Sequence, residues 1–93
     1  MNILEITDRT GRNIHLSDER WVHINKHPKI SSRMELIKET LEKPDKITES
    51  YDEDGVWFYY KYDKQEKEYV FVSVKYLNGY GFIITSFYTN KIQ

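Results

Sequence analysis

The chain has 93 residues, no cysteine and a formal net charge of −1. The lack of cysteine excludes a disulfide framework or a thiolate metal site and fits a reducing compartment. The near-neutral balance gives no global pull toward nucleic acid; it argues against a tight, non-specific DNA binder but leaves room for an enzyme with a local basic cleft. A chain of this length is read as one domain over 1–93. Met1–Thr10 show no basic segment followed by an apolar run, and no apolar stretch approaches the ~20 residues of a membrane helix. The expectation is a cytoplasmic protein without membrane contact. Aromatic residues make up 15%, and eight of them are tyrosines, which suits a small domain whose sheet has one half-wet face.

In chain order, 2–6 and 12–16 read as short strands around the turn-rich Thr7–Gly11, a hairpin. Ser17 has the character of a helix N-cap, with Asp18 and Glu19 in the first turn. That helix is expected from Asp18 to His27, where Pro28 stops it. Ser32 and Glu35 form a capping-box pattern for a second helix, whose buried stripe would be Ile30, Met34, Ile37 and Leu41 and whose end is marked by Pro44. From Lys46 the apolar period becomes two. Strands are expected at 47–51, 56–62, 69–76 and 80–88, with Asp54-Gly55 and Asn78-Gly79 as turns and Asp63–Glu68 as a solvated tip. The class is α+β: two helices on an antiparallel sheet of about four strands, three of them a meander, with a short N-terminal hairpin. In 69–76, Val70, Val72 and Val74 form the natural core face, expected against Ile37 and Leu41, while Phe71, Ser73 and Lys75 face the other way.

Helical spacing puts Arg20, His23, Ile24 and His27 on one arc of about 100°. Histidines one turn apart can serve as general base and acid. They also occur by accident on a surface helix. A metal site is not expected, since no Asp or Glu shares the arc and the acidic residue that follows the first His of a metalloprotease helix is missing. On the strands, Lys75, Thr85, Ser86 and Tyr88 offer a cation and hydroxyls. Such groups can hold a phosphate, or simply dress a wet sheet face.

Glu19-Arg20-Trp21-Val22-His23-Ile24, His27-Pro28, Pro44-Asp45-Lys46-Ile47 and the late strand Thr85-Ser86-Phe87-Tyr88, taken in this order, resemble small phage- and mobile-element-associated domains of the Barnase–EndoU–colicin–RelE-like nuclease group. The resemblance spans most of the chain. It implies metal-independent, toxin-like RNA cleavage by 2′-OH attack with no cofactor. Arg20, His23 and His27 would stand on the helix side of a cleft, and Lys75, Thr85 and Tyr88 on the sheet side. Ser86 departs from the alanine frequent in similar domains. His23 is favoured over His27 as the acid–base group, because it is a full turn from the proline-bounded end. The implied partners are an RNA substrate and a cognate antitoxin or immunity protein. The alternative is a non-catalytic binding module of antitoxin, immunity or adaptor type, with Trp57, Tyr59 and Tyr60 as anchors, or an inactive relative of the nucleases. The enzyme requires the helix arc to meet Lys75, Thr85 or Tyr88 across a cleft; the binding module does not.

Overall fold

The computed structural model of the protein describes residues 1–31 and 33–92. Strands β1 (Asn2–Thr7) and β2 (Asn13–Ser17) form the expected antiparallel hairpin, pairing Ile6 with Ile14 and Leu4 with Leu16. Helix α1 (Asp18–Ile24) starts at Ser17, whose hydroxyl accepts the amide of Arg20 at 3.2 Å, and carries Asp18 and Glu19 in its first turn. It ends three residues before the expected His27. Ile24 and Ile30 are both fully buried. On one continuous helix they would point roughly 120° apart. The chain instead turns after Ile24, with the His27 amide donating to the Ile24 carbonyl and the Ser31 amide to the His27 carbonyl, and both isoleucines reach the core.

Helix α2 (Met34–Glu42) buries Ile37 and Leu41 one turn apart. Its N-cap position is Arg33, without a side-chain capping bond. Ser32, the expected cap, lies outside the described residues. Strands β3 (Lys46–Glu49), β4 (Val56–Asp63), β5 (Glu68–Tyr76) and β6 (Tyr80–Thr89) follow, and β4–β5–β6 is the expected antiparallel meander, with β3 antiparallel to β4 at an edge. The meander is not fully regular: its β5–β6 register shifts at Ser73/Val74. Gly79, at φ 88°, supplies the left-handed turn that Asn78-Gly79 announces.

The sheet is larger than the sequence suggests. It has six strands in the order β1-β2-β6-β5-β4-β3 and is mixed, because β2 pairs with β6 in parallel over Asn13–His15 and Tyr80–Phe82. The hairpin is thus part of the main sheet. Gly81 makes this junction possible: a Cβ there would stand 2.9 Å from Ile14 Cδ1 and 2.9 Å from the Lys75 carbonyl.

Both helices pack on the valine side. Val70, Val72 and Val74 join Ile37, Leu41, Ile24 and Ile30 in one core with Tyr59, Ile83, Ile14 and Leu16. Tyr59 and Tyr60 are fully buried and Trp57 packs against the core, so the three aromatics expected as interface anchors are interior or half-buried groups. Tyr60 lies on the opposite sheet face, closed over by the rings of Tyr69 and Phe71. Ser86, placed where similar domains carry alanine, is buried, and its hydroxyl donates to the Phe71 carbonyl at 2.7 Å, so the polar atom is satisfied. No described helix is long and apolar enough to cross a membrane.

Candidate active site

β2 covers only the first residues of β6, because it runs straight into α1. The outer edge of β6 beyond Phe82 therefore has no strand beside it, and the turn that follows α1 closes over it. Between that turn and the ends of β5 and β6 lies an open cleft of about 230 Å³, lined by His27, Pro28, Lys29, Ile30, Glu68, Phe87 and Tyr88. The His27 ring is half-buried, 5.7 Å from the Phe87 ring and tilted 57° to it. His23 is exposed and meets His27 edge-on at 6.2 Å between centroids. The segment before Pro28 is thus docked by its backbone bonds and the Phe87 contact, and His27 is the histidine that lines the cleft.

Charge is gathered densely around it. The Lys29 ammonium donates to Glu68 and lies 3.8 Å from Glu66. It also stands 5.9 Å from the centroid of the Tyr88 ring. The contact with Glu68 holds the lysine above its usual range. The Tyr88 hydroxyl donates to Asp63 at 2.6 Å and accepts from Arg33 at 3.3 Å. Burial, reinforced by the Asp63 carboxylate, pushes Tyr88 up to about 12, and the same hydrogen bond holds Asp63 below the ordinary carboxylate range. Arg33 reaches Glu66 at 3.8 Å. Lys29 and Arg33 each have an acidic partner, so a phosphate entering the cleft would take over Lys29 by displacing a carboxylate. A displaced carboxylate is then free to accept a proton.

Of the six residues singled out from sequence, His27 and Tyr88 share this cleft and His23 touches its rim. Arg20 is exposed on α1, its amide spent on the Ser17 cap. Lys75 and Thr85 lie on the sheet face opposite Tyr88, Lys75 opposite Phe82 and Thr85 opposite Ser73. The Lys75 ammonium there donates to the Asp54 carbonyl at 2.6 Å. Lys29, Glu68, Asp63 and Arg33 carry no site signal in the sequence. Lys29 and Arg33 follow Pro28, and Asp63, Glu66 and Glu68 stand in a mixed-charge loop with two lysines; nothing in the sequence joins the two segments. Among the described residues no group of three or more His, Asp or Glu side chains is placed to hold a metal ion.

A second polar cluster lies under the β1–β2 turn. Asp8 is 4% exposed. Its Oδ1 accepts from the Thr10 amide and hydroxyl and from the Arg12 amide, and its Oδ2 from the hydroxyls of Tyr59 and Tyr76. Arg12 lies over the Tyr76 ring at 4.2 Å. Burial raises both tyrosines, and the Tyr59–Tyr76 contact and Asp8 raise Tyr59 further. Every acceptor site of the carboxylate is engaged, so this cluster ties the turn to β4 and β5.

The fold and the edge cleft define a small two-layer α+β domain with an imidazole, carboxylates and a cation gathered at the outer edge of its last strand. Comparison with known families gives that class a narrower address. The chain belongs to the family described as phage-Barnase-EndoU-ColicinE5/D-RelE like nuclease2, whose model matches residues 4–93. No curated protein and no solved structure matches it.

Proposed function

We propose that this protein is a metal-independent, toxin-like endoribonuclease acting on cytoplasmic RNA at the β6-edge cleft. The observation that carries the reading is that His27, Glu68 and Lys29 line one cleft in a member of a nuclease family. RNA supplies its own nucleophile. In the proposed reaction Lys29 leaves Glu68 for the scissile phosphate, and the freed Glu68 takes the proton of the 2′-OH. The 2′-oxygen attacks phosphorus, the bond to the 5′-oxygen breaks, and protonated His27 gives that oxygen its proton. The products are a 2′,3′-cyclic phosphate and a 5′-hydroxyl, and the charge on the transferring phosphoryl group is met by Lys29. Tyr88, held by Asp63 and Arg33, is a wall that positions the lysine. Arg20 adds positive charge on α1, the helix that carries His23, while Lys75 and Thr85 have no part in the bond-breaking step.

The test is incubation of the purified protein with RNA in the presence of a chelator, followed by end-group analysis. Cleavage with cyclic-phosphate ends is expected, and it should be lost in Glu68→Gln. The toxin-like role further implies that expression arrests growth of a bacterial host, that His27→Ala relieves the arrest, and that a cognate antitoxin or immunity protein is the natural partner.

A further inference from the structure

The proposed reaction uses His27, Lys29 and Glu68 and leaves one contact beside the cleft without a role. Glu66, in the turn between β4 and β5, bridges two cations: its Oε1 lies 3.8 Å from the Lys29 ammonium and its Oε2 3.8 Å from Arg33 Nη1. The backbone of Glu66 is held in place, since its amide donates to Asp63 at 3.4 Å and the next residue, Lys67, takes a left-handed φ of 58°. Its side chain can still rotate. The side chains of Lys29 and Arg33 are 49% and 44% exposed and that of Glu66 28%, so the cations face solvent more openly than the carboxylate that pairs them. Asp63 does not compete for Arg33, because its oxygens accept from the Tyr88 hydroxyl and from the amides of Gln65 and Glu66. Arg33 makes both of its described side-chain contacts, to Tyr88 and to Glu66, through Nη1. The Nη2/Nε edge of its fork is left for an anion.

We propose that Lys29 and Arg33 form a two-cation phosphate site whose place Glu66 holds in the free protein, and that Arg33 is the second ligand of the scissile phosphate. A carboxylate and a phosphodiester each present two anionic oxygens on one centre. A phosphate that takes the place of Glu66 therefore meets the same two cations, and the planar fork of Arg33 suits its oxygens. Charge builds on the phosphoryl oxygens as the 2′-oxygen attacks, so a second cation there stabilises the transition state more than the bound substrate. Glu66 in turn keeps two neighbouring cations from repelling each other while no substrate is bound. Its cost is competition with the substrate. The part given to Arg33 at the scissile phosphate rests on the nuclease reading; the two-cation site itself does not.

Inorganic phosphate tests the site without any cleavage. Calorimetric titration at fixed pH and ionic strength is expected to show weak binding by the wild type. Glu66→Gln, which takes two part-exposed ion pairs out of competition, should tighten it about three- to tenfold. Glu39→Gln removes the same charge from an exposed position of α2 facing the same turn and should change the affinity by less than about twofold, since solvent and salt screen a charge that makes no contact. Adding Arg33→Ala to Glu66→Gln should weaken phosphate binding at least about fivefold. With an RNA dinucleotide as substrate, Glu66→Gln should lower KM without lowering kcat. Arg33→Ala should lower kcat/KM about tenfold or more, and Arg33→Lys should recover only part of the loss, because an ammonium keeps the charge but not the fork. Phosphate affinity that rises no more in Glu66→Gln than in Glu39→Gln, or binding of no phosphate by either the wild type or Glu66→Gln, overturns the site and leaves the cleft chemistry standing where the wild type cleaves RNA. Full-rate cleavage by Arg33→Ala overturns its part at the scissile phosphate. Phosphate binding that responds to Glu66 and Arg33 as stated, in a protein that cleaves no RNA, keeps the two-cation site and removes the nuclease reading.

Discussion

Replacing Asp8 by alanine tests whether its cluster is structural. The carboxylate is 4% exposed and accepts five hydrogen bonds. Thr10 and Arg12 are exposed, so their amides and hydroxyl recover water as partner and cost little. The two phenols do not. Tyr59 is fully buried and keeps only Tyr76, 2.5 Å away, while Tyr76 loses its acceptor. Hydrogen bonds to a charged group contribute about 1.5–3 kcal/mol each, partly offset by relief of the buried charge. The net loss worked from this arrangement is about 2–4 kcal/mol. A domain of this size loses about 4–8 °C of Tm per kcal/mol. Urea unfolding followed by tryptophan fluorescence gives the loss directly, with the slope unchanged. Tyr76→Phe should cost less, about 1 kcal/mol, because Tyr59 can still donate to Asp8. An Asp8→Ala protein within about 0.5 kcal/mol of wild type would show that these five bonds do not hold the turn to the sheet.

Two further perturbations address other parts of the fold. Tyr88 ionises near 10 when unfolded and near 12 when folded, so the fold favours its neutral form; the stabilisation is complete below pH 10 and is lost as pH rises toward 12. Tyr88→Phe should flatten the alkaline loss of stability in that window, and an unchanged alkaline profile would contradict the Asp63 contact. Gly81→Ala puts a methyl group 2.9 Å from Ile14 Cδ1 and from the Lys75 carbonyl, which should cost about 1–3 kcal/mol by overpacking and loosen the β2–β6 junction; hydrogen exchange at Ile14 and Phe82 reads the junction, and wild-type protection in the variant would show that it tolerates a side chain.

What the sequence discloses divides along range. The meander, the valine face, the Asn78-Gly79 turn and the Ser17 cap are local, each written within a few residues as periodicity or a turn signal. The β2–β6 pairing joins residues more than sixty positions apart over three pairs, and its one enabling residue, Gly81, looks like an ordinary strand glycine. Without that pairing the hairpin reads as a separate appendage, and the unpaired outer edge of β6, which makes the cleft, cannot be foreseen. The site divides similarly. The imidazoles are visible from helical spacing, although the early end of α1 shifts the emphasis from His23 to His27. Glu68 and Lys29 are brought together only by the tertiary fold, so their pairing leaves no local pattern. Periodicity places Lys75 on the face opposite the valines, but which face borders the cleft depends on where the helices pack, and Thr85 and Tyr88, expected together on the sheet side of the cleft, lie on opposite faces of β6.

The most direct measurement is the rate of RNA cleavage, in chelator, by the wild type and His27→Ala, with folding of both confirmed by urea unfolding. A general acid contributes roughly 10²–10⁴ in rate. Cleavage by the wild type with 2′,3′-cyclic phosphate ends, lowered by about that factor in His27→Ala and by less in His23→Ala, is the expected result. A wild type that cleaves no RNA, or a His27→Ala protein that cleaves at the full rate, contradicts the assignment of this chemistry to the β6-edge cleft.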